Sequence, residues 1–127
     1  MTRHKLKYLL WSAIVSLFLA SCMKWDYGDA VEEFNASGAG LFITNEGNFQ
    51  YGNATLSYYD PATKTVQNEI FFRANGMKLG DVAQSMCIHD NKGWVVVNNS
   101  HVIFAIDLNT FKEVGRIENL TSPRYIH

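Results

Sequence analysis

The chain has 127 residues, of which 47% are hydrophobic and 18% charged, with a formal net charge of −1. These proportions exclude an intrinsically disordered chain and a wholly membranous one. The mild acidity gives no basis for a nucleic-acid partner.

The first 21 residues stand apart from the rest. Arg3, Lys5 and Lys7 precede a charge-free apolar run from Tyr8 to Ala20, short for a membrane span but long enough for the core of a secretory signal. The run closes on Leu19, Ala20, Ser21 and Cys22, which resembles the lipobox of bacterial lipoproteins, where small residues precede the cysteine that is lipidated. Residues 1–21 are therefore expected to be a lipoprotein signal peptide and Cys22 the site of lipid attachment. Acyl chains on one cysteine hold a protein to a bilayer because each buried methylene contributes about 0.8 kcal/mol. Cleavage would remove three of the eleven Lys and Arg and none of the twelve Asp and Glu, for a formal charge of −4. Cys87 would then be the one remaining thiol, and its apolar neighbours Met86 and Ile88 suggest a small buried hydrophobe.

Residues 22–40 are polar, acidic and rich in small residues toward Gly40, and are expected to be a flexible tether. From Leu41 on, short runs rich in β-branched and aromatic residues alternate with turn residues. The predicted strands are 41–44, 54–59, 66–72, 83–88, 94–98, 102–106 and 113–117, separated by turns such as 60–64, 90–93 and 107–110. With no helical apolar stripe, residues 41–127 are expected to be all-β.

An internal repeat supports this. Leu56 to Thr63 aligns with Ile103 to Thr110, each a strand running into an Asp, two residues and a Thr, so that Asp60 matches Asp107. The spacing is close to the roughly 40–50 residues of one four-stranded propeller blade. Asp60 and Asp107 recur at equivalent turns, so capping explains them better than acid or base chemistry.

The segments Gly40 to Asn48, Leu56 to Pro61, Leu79 to Met86, Trp94 to Ser100 and Ser122 to Ile126, in that order, resemble the start of a YncE-like, surface-layer-type β-propeller lipoprotein of Bacteroidetes. The resemblance implies a seven-bladed propeller in full-length relatives, of which residues 41–127 would supply about two blades. The chain is accordingly expected to be the N-terminal part of such a domain, apparently truncated. Two blades lack neighbours, so Phe71, Val96, Phe104 and Ile106 are expected to be covered on one side at most, and the chain to associate.

In a propeller of this kind the longer loops gather at one face. That face would carry Asn45, Glu46, Asn48 and Tyr51, then Arg73 and Lys78, then Asn98, Asn99 and His101, and finally Arg124. Mixed amides, charges and aromatics of this sort suit ligand binding. His89 and His101 have no ligand partner at metal-binding spacing, and neither a catalytic constellation nor a cofactor motif is present. The expected function is thus non-enzymatic: an outer-membrane, surface-facing lipoprotein that binds a ligand or partner through its loops. The resemblance extends this to service of an outer-membrane transporter, with a small molecule such as a corrinoid as one implied ligand. The alternatives are a propeller enzyme of lyase, lactonase or quinone-dependent dehydrogenase type, and a structural surface-layer component. Metabolic labelling with a fatty-acid analogue is expected to mark the chain and to miss Cys22→Ala; equal labelling of the two would refute lipidation at this cysteine.

Overall fold

The computed structural model describes residues 31–36 and 39–127. The expected signal peptide and Cys22 lie outside the described residues. Among these residues, seven strands form two antiparallel meanders, with a short helix between them. The first sheet has the order β1 (Leu41–Asn45), β2 (Thr55–Asp60), β3 (Thr65–Gln67). After helix α1 (Ile70–Asn75), the second sheet runs β4 (Ala83–His89), β5 (Lys92–Val97), β6 (Val102–Asp107), β7 (Glu113–Ile117). No helix of the described residues is long and apolar enough to cross a membrane.

The stretch 66–72, read as one strand, divides into β3 and the start of α1. Glu69 adopts a left-handed backbone that breaks the extended run, and Gly76, also left-handed, stops the helix by donating its N–H to the Phe72 carbonyl. The helix buries Ile70, Phe71 and Ala74, a spacing compatible with one helical face but too short to announce itself in the sequence.

The two sheets share one core. Period-two alternation sends Leu56 and Tyr58 of β2 toward the second sheet, which answers with Val95 and Val97 of β5 and Phe104 and Ile106 of β6. The α1 side chains complete it, with the Phe71 and Phe104 rings 4.9 Å apart. On the far side of the second sheet, Val96, Ile103 and Ala105 are buried as well. The residues after β7 run across that side: the Asn98 side chain donates to the Pro123 carbonyl and the Ser85 hydroxyl to the Arg124 carbonyl. Phe71, Val96, Phe104 and Ile106 are therefore all buried, against expectation. The uncovered apolar surface falls instead on Leu41, Ile43, Val66, Ile88 and Ile117. Cys87 is only half-buried, not enclosed.

The short turns close the end opposite the long loops. Asp60 accepts the Ala62 N–H, and Asp107 accepts the N–H groups of Asn109 and Thr110 and the Thr110 hydroxyl. These bonds, led by that from the Thr110 N–H, hold the Asp107 carboxyl below its ordinary pKa. Both aspartates thus cap turns. The Asp107 turn delivers Phe111, fully buried, against the rings of Phe34, Tyr58 and Phe42 at 5.0, 5.2 and 5.8 Å.

Residues 31–36 fall within the stretch expected to be a tether, and they lie against the domain. Glu32 N–H donates to the Arg73 carbonyl and Ala36 N–H to the Asn109 carbonyl, while Phe34 packs on Phe111. An aromatic ring that can reach an apolar cluster gains more by burial than a polar linker gains by freedom. Phe111→Ala is expected to destabilise the domain by about 3–5 kcal/mol, as loss of a fully buried ring does; a shift in the urea midpoint corresponding to less than about 1 kcal/mol would show that the cluster is not a core.

Candidate functional site

The longer loops converge at one end because the strands are antiparallel. Residues 46–54 join β1 to β2, residues 76–82 climb from α1 to β4, residues 98–101 join β5 to β6, and residues 118–124 leave β7. Their meeting point is Asp81. Its residue exposure is only 7%, and its Oδ2 accepts the Gln50 N–H at 2.8 Å and the Asn99 side-chain amide at 2.6 Å. Its own N–H donates to the Ser100 hydroxyl at 2.9 Å, and its carbonyl accepts the Asn99 N–H. One carboxylate therefore ties three loops together, through hydrogen bonds strengthened by its charge. The other oxygen, Oδ1, is buried with no hydrogen-bond partner among the described residues.

Glycines make this closeness feasible. Gly80 has φ +125°, and a Cβ there would collide with the Ser100 hydroxyl. Its carbonyl accepts the Ala54 N–H, joining the first loop to the second. Gly47, at φ +73°, turns the first loop so that the Asn53 side chain can accept the Asn48 N–H. Gln50 takes a left-handed backbone, φ 69°, while donating to Asp81. The residues on either side of Gln50 are thereby lifted into solvent: Phe49 is 63% exposed and Tyr51 74%.

Several of the residues expected at the site are gathered here, in different roles. Asn48 and Tyr51 belong to the raised loop. Asn45 donates to the hydroxyls of Thr55 and Ser57 at the end of the first sheet, and Glu46 is exposed beside it. Asn99 holds Asp81, while Asn98 and His101 fasten the segment after β7. His101 does so by accepting the Ser122 N–H on Nδ1 and the Leu120 N–H on its carbonyl, and Arg124 follows in the same segment. Asn98, Asn99 and both the ring and the backbone of His101 are thus structural supports for the loop end.

Arg73 and Lys78 are placed otherwise. Arg73 lies on α1, makes a bidentate pair with Glu32, and sits 4.9 Å from the Phe34 ring centre. Its hydrogen bond to Glu32 holds that carboxyl below the usual range, and it is committed to residues 31–36, away from the loop end. Lys78 lines a cleft of about 310 Å³ with Asn53, Thr55, Glu69, Phe71 and Leu79. The cleft flanks β2 below the Ala54–Gly80 bridge, next to the loop end but separate from Phe49 and Tyr51.

Phe49, Gln50, Asp81 and Ser100 lie in the loops that the sequence assigns to the recognition face, but nothing in the sequence singled them out within those loops. The available signal was the pair Gly80-Asp81 just before a strand, a glycine that permits close approach beside a side chain that can accept several N–H groups. Among the described residues, no group of three His, Cys, Asp or Glu could hold a metal ion.

The arrangement defines a class: an all-β domain of two antiparallel sheets whose loop end is pinned by a buried carboxylate. The chain belongs to the family described as "Domain of unknown function (DUF5074)", whose match covers residues 39–127. No curated protein matches the chain. Asp81→Ala leaves the Gln50 N–H and the Asn99 amide without their acceptor, and is expected to cost about 1–3 kcal/mol. Limited proteolysis should then cut within residues 46–53 faster than in the unaltered chain; unchanged stability and cleavage would show that Asp81 does not hold the loops.

Proposed function

We propose that this chain is a lipid-anchored, non-enzymatic binding protein of the outer membrane, with the two sheets as blades of a β-propeller and the loop end as its ligand surface. The supporting observation is the pair Phe49 and Tyr51, raised into solvent on either side of a residue fastened to Asp81. Exposed aromatic rings are costly to keep in water unless something covers them, and a rigid base removes the ordering cost that a mobile loop would meet on binding. Glu46 and Asn48, exposed in the same loop, add polar selectivity.

The meander order of both sheets and the repeat of Asp60 at Asp107 support the blade reading. A blade repeats strand, turn, strand and capping Asp, and the second sheet has all four strands of such a unit. The ligand class is a molecule with a flat apolar ring system bearing polar substituents, delivered to an outer-membrane transporter. Cyanocobalamin is the first probe.

In equilibrium dialysis, the full chain in detergent is expected to bind cyanocobalamin. The double variant Phe49→Ala, Tyr51→Ala should bind about 10–100-fold more weakly, because each ring is an anchor worth more than about 1 kcal/mol. Its stability should stay within about 0.5 kcal/mol, since both rings are exposed. Equal binding by the two forms would refute the loop end as the ligand surface.

A further inference from the structure

The cleft beside β2 has walls from three elements, and the ligand surface proposed above makes no use of it. Leu56 of β2 and Phe71 of α1 line it while belonging to the core, and so does Leu79 of the segment that climbs to β4. The Ala54 N–H, donating to the Gly80 carbonyl, ties the β2 wall to that segment. Walls that are also core keep their shape without a ligand, which lowers the ordering cost of binding. The volume of about 310 Å³ stands at the lower end of small-molecule pockets, roughly 300–1,000 Å³. Its size therefore suits one small molecule and is too little for a folded partner.

Two opposite charges line the same cleft. Glu69 and Lys78 are both exposed, and neither side chain makes a hydrogen bond or an ion pair among the described residues. Glu69 stands at the N-cap of α1, yet its side chain caps no N–H. It acts on Arg73 through space alone, because the Arg73 guanidinium is occupied by Glu32 and the Asn68 carbonyl. Elsewhere, neighbouring opposite charges meet: Lys92 pairs with Asp90, and Arg116 with Glu113 and Glu118. Glu69 and Lys78 share a cleft and stay apart.

The uncharged polar residues of the cleft favour one sign. Asn53 Oδ1 already accepts the Asn48 N–H, and the Thr55 hydroxyl oxygen already accepts the Asn45 amide. What each retains is a donor, the Asn53 side-chain NH2 and the Thr55 hydroxyl proton. With the Lys78 ammonium, the cleft thus offers three donor groups suited to a carboxylate. Glu69 offers an acceptor suited to an ammonium. A ligand carrying one charge would leave the opposite charge of the cleft unanswered, whereas a zwitterion answers both.

We infer that the cleft binds an α-amino acid with an apolar side chain. Lys78, Asn53 and Thr55 take its carboxylate, Glu69 takes its ammonium, and Phe72 and Leu79 cover its side chain. The site is separate from Phe49 and Tyr51, so the inference does not rest on the ligand proposed above.

The test is equilibrium dialysis of the full chain in detergent against three probes that share one ring. These are L-phenylalanine, 3-phenylpropanoate, which lacks the ammonium, and 2-phenylethylamine, which lacks the carboxylate. L-phenylalanine is expected to bind at least about tenfold more tightly than either, since each analogue forfeits a charge-assisted hydrogen bond. Glu69→Gln should abolish the preference over 3-phenylpropanoate, and Lys78→Met the preference over 2-phenylethylamine. Both residues are exposed, so the urea midpoint should not move. The double variant Phe49→Ala, Tyr51→Ala should bind L-phenylalanine as the unaltered chain does. Absence of saturable L-phenylalanine binding at millimolar concentration would overturn the inference, as would equal binding of the three probes. So would preferences that Glu69→Gln and Lys78→Met leave unchanged, or L-phenylalanine binding that is lost with Phe49 and Tyr51. If a charge variant fails to fold, the ranking of the three probes on the unaltered chain still decides.

Discussion

The burial of Phe111 is the constraint on which the rest of the domain depends. The ring lies in the turn between β6 and β7, yet it touches Tyr58 and Phe42 of the other sheet and Phe34 of the preceding segment. Its backbone is left-handed, φ 58°, a conformation that costs a bulky residue of order 1–3 kcal/mol. That conformation persists because the turn over-determines it. Phe111 N–H donates to the Asp107 carbonyl, the Asp107 side chain gathers three donors, and the Asn75 amide donates to the Phe111 carbonyl. Asn75 also accepts the Glu113 N–H, so the end of α1 is fastened to the start of β7. A polar turn and a helix end thereby hold an apolar ring where it joins both sheets.

The two ends of the domain follow different rules as a result. At the turn end, each aspartate satisfies the backbone of its own turn, and the contacts between sheets are made by rings. At the loop end, one aspartate serves three separate loops, and the contacts are hydrogen bonds. Rings pack through area and tolerate small shifts, whereas a buried carboxylate demands correct donor placement. The loop end is consequently the more sharply specified, with two glycines giving the backbone its close approach. A surface built in this way can present exposed aromatic residues without letting them collapse onto the sheets.

Much of the architecture was legible in the sequence because it rests on local rules. Alternation of β-branched and aromatic residues marked the strands of both meanders, and the Asp60 and Asp107 turns announced themselves by their own chemistry. The main failure in element type came at residues 70–72, where apolar residues continuous with β3 conceal a six-residue helix. A run that short carries no period that separates strand from helix. The left-handed Glu69 that divides the two is not a residue whose type signals such a backbone.

The candidate site was legible in outline only. The long loops and their amides could be read along the chain, but Arg73 and Lys78 could not be told apart from the others. Arg73 is drawn to Glu32, 41 positions away, and Lys78 to a cleft beside β2. Asp81 was unremarkable as a residue, since its importance lies in Gln50 and Asn99, 31 and 18 positions distant. By itself the sequence determined the all-β class, the repeat and the capped turns, because each depends on neighbours within a few residues. Tertiary structure alone decided which faces are covered, which loops are tied and which aromatic rings remain in water, because those depend on groups that only folding brings within hydrogen-bond or van der Waals reach.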